Sequence, residues 1–234
     1  MLALCIATGW FAGGFCDPMG ALAATLAAVA GFLAQAAWME WRTGKASYRW
    51  FAMEAVLASL TGIVAMARGG RGVVVVAVAT GTAATLAFLY RMGSANTAGR
   101  VSLKAWTAHL WACGAMGGVA VWIAVAGGSR TDSVALWFSL SANFAAGILL
   151  VRAVRAGTPR SHLWLVAWSL LCGIVWAWLG GAAKPAIFFL WLPIPLRWMV
   201  SRGWIPVRTG WRELGLLESA MGIWTMAWTI AALG

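Results

Sequence analysis

The sequence predicts an all-α protein, a polytopic bundle of about nine transmembrane helices that forms a single domain over residues 1–234. Hydrophobic residues make up 62% of the chain and charged residues 10%, and the mean hydropathy is +0.83. This is more apolar surface than one soluble core can bury. Long apolar runs recur, and period-2 alternation is missing, so β-barrel strands are not expected. The 18 tryptophans and 28 glycines also suit a bilayer, because Trp favours its interfaces and Gly lets helices pack closely.

Nine apolar runs, separated by glycine, proline or basic clusters, predict the individual helices. They cover residues 2–16, 20–39, 50–67, 72–90, 105–126, 133–151, 162–180, 185–200 and 214–233. The first run is short for a span, since its 15 residues extend only about 22 Å in a hydrocarbon core of about 30 Å. Either it borrows residues from the following loop or the true start lies upstream. Pro193 and Pro195 should bend or break the eighth run.

The 17 basic residues divide unevenly between alternate loops. Thirteen fall on one side: Arg42, Lys45, Arg49, Arg91, Arg100, Lys104, Arg152, Arg155, Arg160, Arg197, Arg202, Arg208 and Arg212. Four fall on the other: Arg68, Arg71, Arg130 and Lys184. Because cations resist translocation, this split predicts a multi-pass membrane protein with a cytoplasmic N-terminus and an external C-terminus. It also accounts for the net charge of +11 without nucleic acid. The expected partners are membrane lipids and other membrane-protein subunits.

Two of the six acidic residues lack a simple structural explanation. Glu218 lies about one turn into the ninth run, and Glu54 about one turn into the third. Such a carboxylate either anchors a helix end as an ion pair or faces an internal pathway. We expect the ion pair, with Glu218 directed inward toward Arg197 or Arg202. Asn143, in the sixth run, is the third polar candidate within the membrane.

Other candidate sites are basic or histidine side chains near the cytoplasmic ends of the helices. The candidates for binding a lipid headgroup or another anion are Arg42, Arg152, Arg155, Arg197 and Arg202. His109 and His162 could ligate a haem between the fifth and seventh helices, and a bound pigment is the other cofactor considered, although no cofactor or metal is the favoured prediction. Nucleophile motifs, phosphate-binding glycine loops and HExxH are missing, which favours a role other than catalysis.

The segment AIFFLWLPIPLRWMVSRGWIPVRTGWRELGLLESAMGIWTMAW resembles the ending of the YwiC-like family of bacterial integral membrane proteins. In that family a basic loop leads into a final helix with a Gly and then a Glu, which Gly215 and Glu218 match here. The early segment GALAATLAAVAGFLAQAAWMEWRTGK is similar to the second helix of the family and its basic exit. The family also opens with a His-Gly-Ala-Trp motif, and this sequence has no match to it. The resemblance implies a multi-pass protein of the bacterial cytoplasmic (inner) membrane.

The predicted architecture is also similar to that of UbiA-type prenyltransferases, which hold magnesium and a prenyl diphosphate on aspartate-rich loops. The corresponding loops here, EWRTGKASYR and RAVRAGTPR, contain no aspartate, so that metal chemistry is not expected. Three functions therefore follow from the sequence. The first is a non-catalytic structural or accessory component of a membrane assembly. The second is a UbiA-like lipid- or isoprenoid-handling protein or divergent transferase, and the third is a small-solute or proton-coupled transporter that uses Glu218.

Overall fold

The computed structural model describes residues 1–45, 47–94, 103–128, 132–156, 159–180, 189–204 and 210–233. Every regular element in these ranges is helical. The helices are α1 (Leu2–Gly9, continuing into a π-helical turn, Trp10–Gly14), α2 (Pro18–Arg42), α3 (Tyr48–Ser94), α4 (Leu103–Ala126), α5 (Ser133–Ala156), α6 (Pro159–Gly180), α7 (Pro193–Ser201) and α8 (Trp211–Leu233). The all-α prediction is therefore confirmed.

Five helical segments are long and apolar enough to cross a bilayer. They are Pro18–Arg42, Tyr48–Tyr90, Thr107–Ala126, Ser133–Arg155 and Ser161–Trp178. Helix α8, with 23 residues, is not among these five segments of the described chain. The expectation of a membrane protein with several spanning helices is confirmed at this level.

The predicted count of about nine helices is not reproduced, since the described ranges contain eight α-helices. The difference arises at Gly70, where we expected a loop between two helices. The chain instead stays helical from Tyr48 to Ser94, and only Gly70, at φ 68° and ψ −164°, leaves the helical conformation. A straight helix of 47 residues would extend about 70 Å. The helix is not straight, because the chain turns at Gly70. Glycine adopts the positive φ of this turn without steric penalty.

The two arms of α3 fold back on each other around Gly70. The first arm runs antiparallel to α2, since Arg68 pairs with Asp17 at 3.4 Å while Gly62 lies beside Ala27. Both arms line one cavity, the first with Ser59 and Gly62 and the second with Gly81 and Ala84. The element therefore crosses the bundle twice, as the two separate predicted runs would have done.

The basic segments gather at one end of the bundle. At the opposite end, the Asp17 amide at the start of α2 donates a hydrogen bond of 2.7 Å to the carbonyl of Gly127, which follows α4. Helices α2 and α5 both run away from the end that holds Asp17 and Gly127. Their last residues, with Arg42 and Arg155, therefore lie together at the end where the basic segments gather. His162 at the start of α6 bonds to Ser201 at the end of α7, so α7 also ends there. We call this the basic end of the bundle.

Helices α4 and α5 form the centre of the bundle. Within the most apolar 18-residue stretch of each helix, 56% of α4 and 67% of α5 is buried, compared with 17% of α3 and 22% of α6. The main core packs Ala120 and Ile123 of α4 against Leu136 and Leu140 of α5. Helices α6, α7 and α8 pack on the other side of α5. A polar group on that side of α5 is therefore enclosed by three further helices.

The proline break before α7 is accommodated by a tryptophan from α8. Pro193 has no N–H, so the carbonyl of Phe189, four residues earlier, loses its helical donor. The indole Nε1 of Trp224 donates a hydrogen bond of 2.8 Å to that carbonyl. Membrane helices tolerate proline where a neighbouring side chain satisfies the freed carbonyl in this way.

Replacing Trp224 with phenylalanine should destabilise the protein by about 1 kcal/mol, because it removes the indole N–H that donates to the Phe189 carbonyl. The measurement is unfolding by SDS titration in mixed micelles. Trp178→Phe is the matched control, since Trp178 is 82% exposed on α6 and should show no comparable change. Equal stability of the two variants would show that the Trp224 bond contributes nothing.

Candidate functional site: a buried arginine–glutamate pair

The most polar part of the interior is an ion pair between α7 and α8. Nε of Arg197 donates to Oε1 of Glu218 at 2.8 Å, and Nη2 of Arg197 donates to Oε2 at 2.8 Å. This is the bidentate geometry in which guanidinium and carboxylate interact most strongly. The side chain of Arg197 is 0% exposed and that of Glu218 is 16% exposed. The pair is thus almost entirely removed from solvent.

Two further acceptors complete the coordination of Arg197. Nη1 donates to Oδ1 of Asn143 on α5 at 2.8 Å and to the carbonyl of Pro193 at 3.2 Å. Asn143 itself is 3% exposed. Each guanidinium nitrogen therefore has at least one acceptor, as a buried cation requires. We refer to Arg197, Glu218 and Asn143 together as the buried cluster.

Close approach between α5 and α8 depends on Gly147. This residue lies one turn after Asn143 and therefore on the same face of α5. A Cβ atom at Gly147 would lie 2.5 Å from Oε2 of Glu218 and 3.1 Å from its Cδ. A side chain at position 147 would therefore displace the carboxylate from its place facing Arg197.

The surroundings of the cluster are apolar. Ala142 and Ala146 of α5 pack with Ile194 of α7 and Cys172 of α6 on one side. Leu150 of α5 packs with Leu214 of α8 and Val200 of α7 on the other. Removing one charge from such a site leaves its partner unpaired in a medium of low dielectric, which typically destabilises a protein by about 3–5 kcal/mol. The cluster therefore joins three helices, α5, α7 and α8, by polar contacts.

The structure brings together three residues that the sequence identified as candidates: Glu218, Arg197 and Asn143. It resolves the choice of partner for Glu218, because Arg197 makes the pair and Arg202 is exposed. Arg197 is not a headgroup contact as expected, since the turn of helix after Pro193 carries it into the interior. Sequence reasoning missed the roles of Gly147 and of the Pro193 carbonyl. The four-residue spacing of Asn143 and Gly147 is the one signal that could have indicated the first.

Glu54, the other intramembrane carboxylate, lies apart from the buried cluster. It is half-buried on the first arm of α3, and its Oε2 atom is buried without a hydrogen-bond donor among the described residues. The neighbouring turn carries Phe51, whose ring packs against Trp38 of α2 at 4.9 Å. Glu54 therefore sits beside an aromatic seam near the basic end.

The remaining headgroup candidates all lie at the basic end of the bundle. Arg42, Arg155 and Arg202 are exposed, and Arg152 is half-buried. They come from the ends of α2, α5 and α7. Their exposure is compatible with headgroup contact.

The two histidines face different helices. His109 of α4 lines a cavity between α2, α3 and α4. Nδ1 of His162 lies 3.0 Å from the hydroxyl of Ser201 on α7. A haem between them remains a prediction, and the visible absorption spectrum of the purified protein tests it.

Two cavities of the described structure are mainly apolar. One has a volume of about 890 Å³ and lies between α2, both arms of α3, and α4. The other, about 790 Å³, lies between the second arm of α3, α4 and the start of α5. Neither is lined by the described residues of the buried cluster or by the arginines considered above.

Fold and site together define an all-helical protein with membrane-spanning segments and a desolvated, fully hydrogen-bonded ion cluster in its C-terminal half. The chain matches no family model, and comparisons with curated proteins and with solved structures found no match.

Proposed function

We propose that the protein is a non-catalytic structural or accessory component of a membrane assembly, located in the bacterial inner membrane. The observation that carries this proposal is the state of the buried cluster. Arg197 is fully enclosed and every one of its nitrogens is bonded, which suits a fixed connection between helices better than a site that must bind and release a ligand.

Two aspects of the proposal concern topology and family. A cytoplasmic N-terminus and an external C-terminus are supported by the gathering of Arg42, Arg155 and Arg202 at the basic end, because loops rich in cations stay in the cytoplasm. Membership of the YwiC-like family is a proposal supported by Gly215 and Glu218 at the start of the last helix.

The exposed apolar faces of α3 and α6 are where a partner subunit would contact the protein. Val75 on α3 and Ile174 on α6 are each 68% exposed. In a membrane assembly one of these faces meets another protein, and the rest meet lipid. A partner subunit packed tightly against α3 or α6 would shield the apolar face of that helix from lipid.

Site-specific photo-crosslinking in native membranes tests the proposal. A benzoylphenylalanine at position 75 or 174 should give one discrete adduct with another membrane protein, which also co-purifies in fixed ratio in mild detergent. The same probe in place of Leu165, which is 0% exposed, is the control. Adducts with lipid alone at both positions, together with purification free of partners, would refute an accessory role.

A second candidate is transport coupled to Glu218, favoured by one observation. The Glu218 side chain keeps 16% of its surface exposed, and it lies beside the proline break before α7, where a pathway could open. Uptake measurements with Glu218→Gln separate the two functions. A transporter loses uptake while its fold is retained, whereas an accessory protein keeps its partner.

A further inference from the structure

The larger cavity is a long groove with an apolar wall. Alanine and glycine dominate its lining, and on α4 it extends from Ala108 to Trp122, a distance of about 21 Å along the helix. Its volume of about 890 Å³ is in the range of sites that enclose a small ligand. A groove of this length exceeds the depth of one leaflet, about half of a 30 Å core, so an extended hydrocarbon chain fits along it.

The groove becomes polar toward the basic end of the bundle. Gln35 of α2 and His109 of α4 line that end, whereas Ala28 and Trp122 line the opposite end. Gln35 is seven residues before Arg42, or about 10 Å along α2. A ligand in the groove would therefore have its polar part toward the turn between α2 and α3.

That turn carries three exposed cations, Arg42, Lys45 and Arg49. Glu40 is the one carboxylate among residues 40–49, so these ten residues hold three positive charges against one negative. Glu54 lies a further turn into α3 and is half-buried. The turn thus presents a local excess of positive charge at the polar end of the groove.

Aromatic rings fix this end at the depth of the membrane interface. Trp38 and Trp41 of α2 contact Tyr48 and Phe51 of α3 in a closed set, with ring centroids 4.9–5.6 Å apart. Trp and Tyr concentrate at headgroup level. Trp38 lies one turn after Gln35 on α2, so this set of rings is next to the polar end of the groove.

From these observations we infer that the protein binds one anionic phospholipid at this place. One acyl chain lies in the groove between α2, α3 and α4, and the phosphate contacts the cations of the α2–α3 turn. Charge complementarity identifies the headgroup as anionic, and the length and apolar lining of the groove identify the chain. This binding site is independent of the accessory role proposed above.

Two variants test the two ends of the lipid separately. Gly31→Leu/Gly81→Leu fills the groove, since a Cβ at either glycine meets nothing within 4 Å, and Arg42→Gln/Lys45→Gln/Arg49→Gln removes the cations. The readout is native mass spectrometry of protein exchanged into micelles with phosphatidylglycerol or phosphatidylcholine. Wild type should retain one phosphatidylglycerol in preference to phosphatidylcholine. Filling the groove should abolish retention of both lipids. In the charge variant, the ratio of retained phosphatidylglycerol to retained phosphatidylcholine should fall at least about tenfold.

Matched controls keep the result interpretable if a variant folds poorly. Gly215→Leu places the same side chain at a glycine that also has open space but lies outside the groove. Arg71→Gln removes an exposed cation next to Gly70, at the end of the bundle opposite the basic end. Both controls should retain the lipid as wild type does. Wild-type retention in the groove-filling variant, or an unchanged headgroup preference in the charge variant, overturns the inference.

Discussion

Glu218→Leu is expected to destabilise the protein by about 3–5 kcal/mol, because it leaves the guanidinium of Arg197 buried without a counter-charge. Arg197→Met should have a smaller effect, since the Glu218 carboxylate keeps some access to solvent. Unfolding by SDS titration in mixed micelles measures both.

The double variant Arg197→Met/Glu218→Leu should be close to wild type in stability. Apolar side chains of similar volume often replace a buried ion pair without loss, since both desolvation penalties disappear together. Glu213→Leu is the control, because it removes a carboxylate from the same helix in the turn before Glu218. If Glu218→Leu were no more harmful than Glu213→Leu, the pair would have no role in holding α7 and α8 together.

Gly147→Ala should destabilise the protein by about 1–3 kcal/mol, the usual effect of overpacking. The added methyl group would meet Oε2 of Glu218 at 2.5 Å, so the carboxylate must leave its bidentate position. Gly215→Ala, at an exposed glycine with open space, should instead be neutral or stabilising by up to about 1 kcal/mol through helix propensity.

The effect of Gly147→Ala should depend on Glu218. In a background of Arg197→Met/Glu218→Ala the carboxylate is gone, and the added methyl group should then be tolerated. An equal loss of stability in both backgrounds would mean that Gly147 packs against the backbone of α8 rather than accommodating Glu218.

The sequence predicts the helices well because bilayer-spanning runs are long and the charges between them are uneven. It fails at Gly70, where the chain reverses within one helical element through a single residue of positive φ. The segment Arg68–Gly72, with two arginines among three glycines, has the composition of a loop, so the sequence gives no sign that the helix continues. It places Glu218 about one turn inside the last helix, within reach of a loop arginine, Arg197 or Arg202. It does not predict that Arg197 is enclosed, because this depends on the helix restarting at Pro193 and on the packing of α5.

Asn143 shows the same limit for the site. Its position inside an apolar run marks it as a polar group that needs a partner. Its contact with Nη1 of Arg197 joins residues 54 positions apart in the chain, and such a contact depends on the relative rotation of α5 and α7. Helix periodicity gives the face of each helix and not its angle to a neighbour.

The double-mutant cycle on Arg197 and Glu218, measured as the free energy of unfolding in micelles, tests the structural role of the buried cluster most directly. That role predicts a coupling energy of at least about 2 kcal/mol between the two positions, with the doubly apolar protein still forming the same photo-crosslinked adduct that the otherwise wild-type protein forms from position 75 or 174. A coupling energy near zero, or a stable double variant that no longer forms the adduct, would contradict it.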